Sequence, residues 1–242
     1  MENWSKRLNN QKIVRMIKSR GICKTLGEAG QYLSELCYDL YYDNVLGIST
    51  LRNVSARNLK YDDPSCHKYT ATDYKSFRKV MQHIKIRANK DVFLDYGSGM
   101  GRVLIMAANY PFRKVISVEL SPKLNRTALS NIQNIRKKLK CKDIEVVQAD
   151  ASAYCLPPEV TVIYFYAPFS GETLNRVLDN VQNSLILEPR KLTIICRNPY
   201  YFEKELHRHN WLTKCAEYRD LSRHTYVIYE YKPQTCSMNM KS

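Results

Sequence analysis

Three carboxylic acids and one glycine-rich loop are the residues of this chain whose types and spacing could do concerted chemistry. The loop reads Asp95-Tyr96-Gly97-Ser98-Gly99-Met100-Gly101-Arg102 and follows the apolar run Val92-Phe93-Leu94. Closely spaced glycines let a backbone take positive φ and approach a ligand with no Cβ in the way. A helix starting beyond Gly101 would offer unpaired N–H groups to a carboxylate or another anion. A dinucleotide-binding turn calls for Gly-x-Gly-x-x-Gly, with its third glycine three residues past the second. Here it stands two past, and the acid that opens the loop is poorly placed beside a pyrophosphate. That acid, Asp95, is well placed to receive an ammonium group, directly or through water. Glu119 closes the run Lys114-Val-Ile-Ser-Val, and its two oxygens can accept from both hydroxyls of a ribose. Asp150 follows the run Ile144-Glu-Val-Val-Gln148 and can accept from the exocyclic amine of an adenine.

These groups meet only if strands end side by side. From Asp91 the pattern alternates strand and helix: strands at 92–96, 114–119, 144–148, 160–165 and 191–196, helices at 101–109, from Ser121-Pro122, across Leu174 to Leu185, and at 202–207. Ser121 is a hydroxyl cap followed by proline at the first helical position. Two strand-like segments, 212–219 and 224–231, then follow with only a turn between them. A short turn joins antiparallel neighbours, whereas parallel ones need a long crossover. The expectation is an α/β fold: a Rossmann-like, mostly parallel seven-stranded sheet with helices on both faces, a C-terminal antiparallel β-hairpin strand reversed at the sheet edge, and a helical N-terminal extension. On an open parallel sheet, ligands bind at the carboxyl ends of the strands, where strand order reverses. The first strand belongs there. Upstream, residues 6–42 read as helical, with Ile13, Met16 and Ile17, then Leu33, Leu36 and Leu40, at helical spacing. Gly21 and Gly27 predict two helices rather than one. Residues 43–70 read as irregular and 72–84 as a short helix. The division expected is 1–90 as a helical cap on the substrate side, 91–233 as the cofactor-binding domain, and 234–242 as a flexible tail.

The loop, an acid ending the second strand, an acid after the third, and the aromatic-Pro-Phe turn Tyr166-Ala167-Pro168-Phe169 together resemble class I S-adenosylmethionine-dependent methyltransferases from about Asp91 to Tyr231. Tyr41-Tyr-Asp43, Gly47-Ile-Ser-Thr50, His67-Lys-Tyr69-Thr-Ala-Thr72 and the loop through Arg102 look like a bacterial methyltransferase family of poorly defined substrate. The loop is also similar to that of Dot1-type histone lysine methyltransferases. The resemblance implies S-adenosylmethionine as cofactor. Asp95, Gly97, Ser98, Gly99 and Gly101 would hold its methionine part, Glu119 the ribose and Asp150 the adenine, with Leu120, Ala151 and Tyr166 also binding the cofactor. In such enzymes the segment before the first strand helps cover the cofactor, which implies roles for Tyr69 and Thr72. Tyr166 and Phe169 would border the transferred methyl. Related enzymes often carry Asn or Asp where Ala167 stands, and alanine removes that side-chain acceptor. Positioning at near-attack distance can supply roughly 7 to 11 kcal/mol of a displacement barrier. A base is needed only if the acceptor is protonated, and His67 and Tyr69 are the candidates. The acceptor expected is a small molecule or peptide. The alternatives are RNA or a protein lysine as acceptor, or a non-catalytic cofactor-binding module that acts through partners.

Bulk composition bounds rather than decides. The 242 residues, 44% hydrophobic and 25% charged, suffice for one α/β core with a small extension. No apolar run approaches the roughly 18 to 20 residues that cross a bilayer, and residues 1–7 lack the apolar core of a secretory signal. The eight cysteines form no Cys-x-x-Cys pair, which predicts mostly buried reduced thiols in a cytoplasmic protein, with neither disulfides nor a zinc site. His207, His209, Cys215 and His224 match no zinc spacing. The net charge of +15 favours acidic partners, RNA or an acidic protein. The basic run Arg136 to Lys142 could touch phosphates, but it closes an amphipathic helix, where cations suit the negative end of the dipole.

Overall fold

A computed structural model of the chain describes residues 22–51, 69–219 and 224–233. In chain order the elements are α1 (Ile22–Leu46), α2 (Tyr74–Met81), β1 (Val92–Tyr96), α3 (Arg102–Ala107), β2 (Lys114–Glu119), α4 (Pro122–Ile135), β3 (Ile144–Gln148), β4 (Val160–Phe165), α5 (Gly171–Leu187), β5 (Leu192–Arg197), α6 (Tyr200–Glu205), β6 (Thr213–Arg219) and β7 (Thr225–Tyr231). Single turns of 3₁₀ helix follow α4 and α6.

The strands form one seven-stranded sheet in the order β3-β2-β1-β4-β5-β7-β6. β1 to β5 are parallel, and β7 runs antiparallel to both β5 and β6. β1 is buried at all five positions, as a strand covered on both faces must be. The alternating strand and helix pattern thus lands where the sequence places it, with one difference. The reversed strand does not lie at the edge: β7 inserts beside β5 and leaves β6 outermost. The reason is apolar content. β7 carries the buried residues Tyr226, Val227, Ile228 and Tyr229, whereas β6 alternates and is largely exposed.

One face of the sheet packs against α2, α3 and α4, with Phe77, Phe93, Leu104, Ile132, Ile135 and Tyr164 in a common core. The other packs against α5 and α6, through Leu174, Val177, Leu178, Val181, Leu185 and Phe202. Residues upstream of β1 therefore share the core of the sheet.

The expectation for the upstream segment needs correction. α1 runs unbroken through Gly27 and Gly30, and a Cβ at either position would meet nothing within 4 Å. A glycine on an open helix surface costs only about 1 kcal/mol relative to alanine, too little to end a helix anchored elsewhere. Leu33 and Leu40 are 46% and 45% exposed, so the leucine stripe is not the packed face. Asp39 and Asp43 are buried instead, because they pair with a buried arginine of α3. Gly21 and the helix expected before it lie outside the described residues, as do 52–68 and the tail. Cysteine burial also departs from expectation. Cys141 and Cys196 are buried, but Cys37, Cys155 and Cys215 are exposed, and all five are free thiols. No helix among the described residues is long and apolar enough to cross a membrane.

Candidate active site

The order of the sheet reverses at β1, whose neighbours are β2 on one side and β4 on the other. Register aligns Tyr96 with Val118 and Phe165, Glu119 with Gln148, and Phe165 with Cys196. Asp95, Glu119, Tyr166 and Arg197 thus share one rim, formed by the carboxyl ends of β1, β2, β4 and β5. A cavity opens there. It is lined by Asp95, Gly97, Ser98, Glu119, Leu120, Asp150 and Ala151 on the side of β1 to β3, and by Tyr69, Thr72, Tyr166 and Phe169 opposite.

Asp95 is 2% exposed, and its Oδ2 has no hydrogen-bond partner among the described residues. Burial, reinforced by the nearby Glu119 charge, pushes its carboxyl well above the usual carboxylate range. The buried hydroxyl of Ser98 is likewise without a partner among the described residues. A buried polar atom left unsatisfied costs about 1 to 3 kcal/mol, so this rim calls for donors and charge that the described residues do not supply.

Glu119 is buried and already has a local role. Gly99 N donates to its Oε2 at 2.9 Å and Ser121 N to its Oε1 at 2.8 Å. The carboxylate thereby ties the glycine loop to the start of α4. Asp150 is exposed at the mouth, where its Oδ1 accepts from the backbone and the hydroxyl of Ser152, each at 2.8 Å. Leu120, 42% exposed, stands beside it.

The three loop glycines have positive φ, +73°, +58° and +80°, and differ in what they admit. A Cβ on Gly97 would collide with the ring of Pro168, and one on Gly99 with the ring of Tyr69. A Cβ on Gly101 would lie 2.9 Å from Ala128 Cβ of α4. Gly99 and Gly101 do not line the cavity; the first seats Tyr69 and the second lets α4 approach. Gly99→Ala combines a left-handed backbone with a clash and is expected to cost about 2 to 4 kcal/mol. Chemical denaturation checks this, and an unchanged midpoint would mean that Tyr69 does not rest on the loop.

Tyr69 is held there by its hydroxyl, which donates to Thr50 O at 3.0 Å. Burial raises its phenol above the ordinary value. Thr72 Oγ1 bonds Tyr164 Oη at 3.0 Å, so Tyr164 serves both the cavity wall and the core. Beneath this wall lies Arg102, which the sequence marks only as the last residue of the loop. Arg102 is 1% exposed; its Nη1 donates to Asp39 Oδ2 at 2.6 Å and to Thr72 O at 3.2 Å, and its Nη2 reaches Asp43 Oδ1 at 3.3 Å. Its Nε donates to Thr50 Oγ1. Asp43 also accepts from Thr50 N at 2.8 Å and Tyr74 Oη at 2.8 Å. Burial raises the Asp39 carboxyl, against the pull of Arg102. A signal for this cluster exists in the sequence: a lone cation opens a wholly apolar helix, and two acids stand four apart on α1. Asn131, a further residue that sequence reasoning misses, clamps the loop. Its Oδ1 accepts from Ser49 N at 3.0 Å while its Nδ2 donates to Met100 O at 3.0 Å.

Tyr166, also in the cavity lining, is covered by the Arg197 guanidinium, 4.2 Å from its ring centroid. Arg197 Nη2 pairs with Asp73 at 2.9 Å. Ala167 has φ +40°, an uncommon conformation for a residue with a Cβ. Phe169 packs edge-on against Tyr96 and Phe165, so it belongs to the core as well as to the cavity wall. His67 lies outside the described residues. His209 is buried on the other side of the sheet, against Asn175 at 3.2 Å.

The family model described as histone methylation protein DOT1 matches residues 50–153. No curated protein matches the sequence. Among solved structures, the chain is similar to precorrin-6y C5,15-methyltransferase from Geobacter metallireducens, at 17% identity and TM-score 0.50 over 67% of this chain and 89% of that one. It is also similar to the glycopeptide N-methyltransferase MtfA complexed with sinefungin, at 13% identity and TM-score 0.51 over 65% and 85% of the two chains. A third is residues 961–1257 of the StiE O-methyltransferase, at 12% identity and TM-score 0.50 over 66% and 74%. The chain has the class I, seven-stranded Rossmann-like fold of S-adenosylmethionine-dependent methyltransferases. Within that class, the DOT1 match spans the stretch that carries the glycine loop and Asp95, Glu119 and Asp150.

Proposed function

We propose that this chain is an S-adenosylmethionine-dependent methyltransferase whose cofactor lies along the rim from Tyr69 to Asp150. The observation that carries the reading is the buried Asp95 Oδ2, without a partner among the described residues, beside a backbone loop and a second carboxylate. An aminoacyl ammonium suits that oxygen in charge and in hydrogen bonding, and the Ser98 hydroxyl makes the same demand. Glu119, fixed by two backbone donors at the end of β2, takes the ribose hydroxyls. Asp150 and Ala151 take the adenine edge, with Leu120 against its face. Tyr69 and Thr72 close over the loop, and residues 1–90 act as a cap on a domain of residues 91–233. The fold likeness to a methyltransferase complexed with sinefungin supports the same placement.

The cofactor supplies a methyl group on a sulfonium, a good leaving group. What the chain contributes is position and dryness. Tyr166, pinned beneath Arg197, and Phe169, pinned in the core, form a rigid wall for the acceptor. Such orientation can lower the barrier by roughly 7 to 11 kcal/mol with no dedicated base. His67 and Tyr69 are the residues proposed as base where the acceptor is protonated, though burial works against ionising Tyr69. The absence of a side-chain acceptor at Ala167 directs the reading away from amines held by an Asn or Asp. It also sustains a second reading, a non-catalytic cofactor-binding module. Incubation with methyl-labelled S-adenosylmethionine and a panel of small molecules, peptides, histones and RNAs separates the two. Transfer of label to any acceptor is the expected result, and cofactor binding with no transfer across the panel favours the second reading. A cytoplasmic location remains part of the proposal.

A further inference from the structure

The net charge of the chain is not evenly spread around the cavity. From Leu120 to Lys142 there are seven basic residues, Lys123, Arg126, Arg136, Lys137, Lys138, Lys140 and Lys142, and no acid. All seven are exposed. α5, on the opposite face of the sheet, carries Glu172 and Asp179 against Arg176 alone. The basic run has two parts. Lys142 Nζ donates to the carbonyls of Arg136 and Lys137, both at 2.8 Å, and Arg136 donates back to Lys142 O at 3.0 Å; these two residues close the end of the helix. The side chains of Lys123, Arg126, Lys137, Lys138 and Lys140 have no ion pair among the described residues. This stripe has a cluster at each end: Lys123 and Arg126 stand near the start of α4, and Lys137 and Lys138 on the 3₁₀ turn after it, at opposite ends of a helix of 14 residues, about 21 Å long at a rise of about 1.5 Å per residue. Its near end adjoins the cavity mouth, because Leu120 and Leu124 line the cavity.

We infer that the outer face of α4, together with the basic turn that follows it, is a docking track for the phosphate backbone of double-stranded RNA, which delivers the nucleic acid to the cavity. The inference rests on the methyltransferase reading and narrows its acceptor to RNA. Three observations select this partner. The apolar side of α4 (Leu124, Ala128, Ile132, Ile135) is buried in the fold, so little remains to insert into a membrane. The exposed side offers Leu129 as its one large apolar residue, too little for the buried anchors that stabilise a protein interface. A polar groove beside the stripe, between α4 and the turn at Gly47–Ser49, is lined by Ser49, Thr127, Ser130 and Asn134 together with Lys123 and Arg126. Hydroxyls and amides next to cations suit 2′-hydroxyl and phosphate contacts across an RNA minor groove. With no aromatic ring among the described residues of α4 or of this groove, binding is to the backbone rather than to stacked bases.

The test uses the full chain and a fluorescein-labelled 16-base-pair RNA duplex, followed by anisotropy over a salt series. Wild type is expected to bind, with a log–log salt slope of at least three in magnitude. The quadruple variant Lys123→Glu, Arg126→Glu, Lys137→Glu, Lys138→Glu is expected to bind at least tenfold more weakly, with the slope reduced by about 0.9 for each phosphate it no longer neutralises. Its melting curve and its S-adenosylhomocysteine affinity should match wild type, which separates this inference from the cofactor reading. Arg176→Glu on α5 should bind RNA as wild type does. Unchanged RNA affinity in the folded quadruple variant overturns the inference. So does a DNA duplex of the same sequence binding equally well, or binding to vesicles with 30% anionic lipid where the RNA does not bind.

Discussion

Replacing Asp95 by asparagine is expected to stabilise the free protein while it weakens cofactor binding about 10- to 100-fold. Both effects come from one atom. Asp95 Oδ2 is buried without a partner among the described residues, and burial and then Glu119 raise the carboxyl well above its ordinary range. An acid whose folded pKa exceeds its unfolded one binds its proton more tightly when folded. Stability therefore falls as pH rises from the unfolded value through the folded one, and the loss is complete above it. Asparagine carries no charge to desolvate. The expected gain is about 1 to 2 kcal/mol at neutral pH, roughly 2 to 8 °C in Tm, and it should vanish near pH 4. Thermal melts of wild type and Asp95→Asn across pH check the sign. The cost appears in binding, because a charge-assisted hydrogen bond to the ammonium is lost. For the same reason, wild-type affinity should rise with pH up to the raised pKa of Asp95 and then level off, since an ammonium partner prefers the ionised carboxylate.

The largest stability loss is expected at Arg102. Arg102→Met leaves Asp39 and Asp43 in a buried cluster with no cation, and removing one partner of a buried pair typically costs about 3 to 5 kcal/mol. Arg102→Lys should recover only part of it. One ammonium cannot reach Asp39, Asp43, Thr50 and Thr72 as the guanidinium does. The defect should shrink as pH falls, because Asp39, already raised by burial, takes up a proton and stops needing the cation. A denaturation gap between wild type and Arg102→Met that stays constant from pH 8 to pH 5 would contradict the ion-pair account. The same variant should loosen the segment before β1, since Thr50 and Thr72 are the points where Arg102 holds it against the loop.

What can be read in the sequence follows the reach of local rules. β1 to β5 and their helices are legible because apolar runs, Ser121-Pro122 and the glycine loop state their structure within a few residues. The site is legible to the same degree, since Asp95, Glu119 and Asp150 each end or follow a strand and parallel strands end on one rim. α1 escapes local rules for the complementary reason. Its packed face carries Asp39 and Asp43, paired with Arg102 dozens of residues away in sequence, beside Tyr38, Tyr42 and Leu46, and not the Leu33 and Leu40 stripe. The order of β7 and β6 depends on which segment of the hairpin buries more apolar surface, a comparison that turn chemistry does not make. Asn131 is hard to recognise because a polar residue among Ala128, Ile132 and Ile135 signals a buried partner without naming it, and here the partners are the backbones of Ser49 and Met100.

The central claim is that this rim of strand ends holds a nucleoside-linked amino acid. Calorimetric titration of S-adenosylhomocysteine into the full chain tests it most directly, with Glu119→Ala as the comparison once its melting curve shows it folded. Micromolar affinity, on the order of −8 kcal/mol, is expected for wild type and is reduced at least tenfold in the variant. No binding by wild type, or equal affinity in the two proteins, would contradict it.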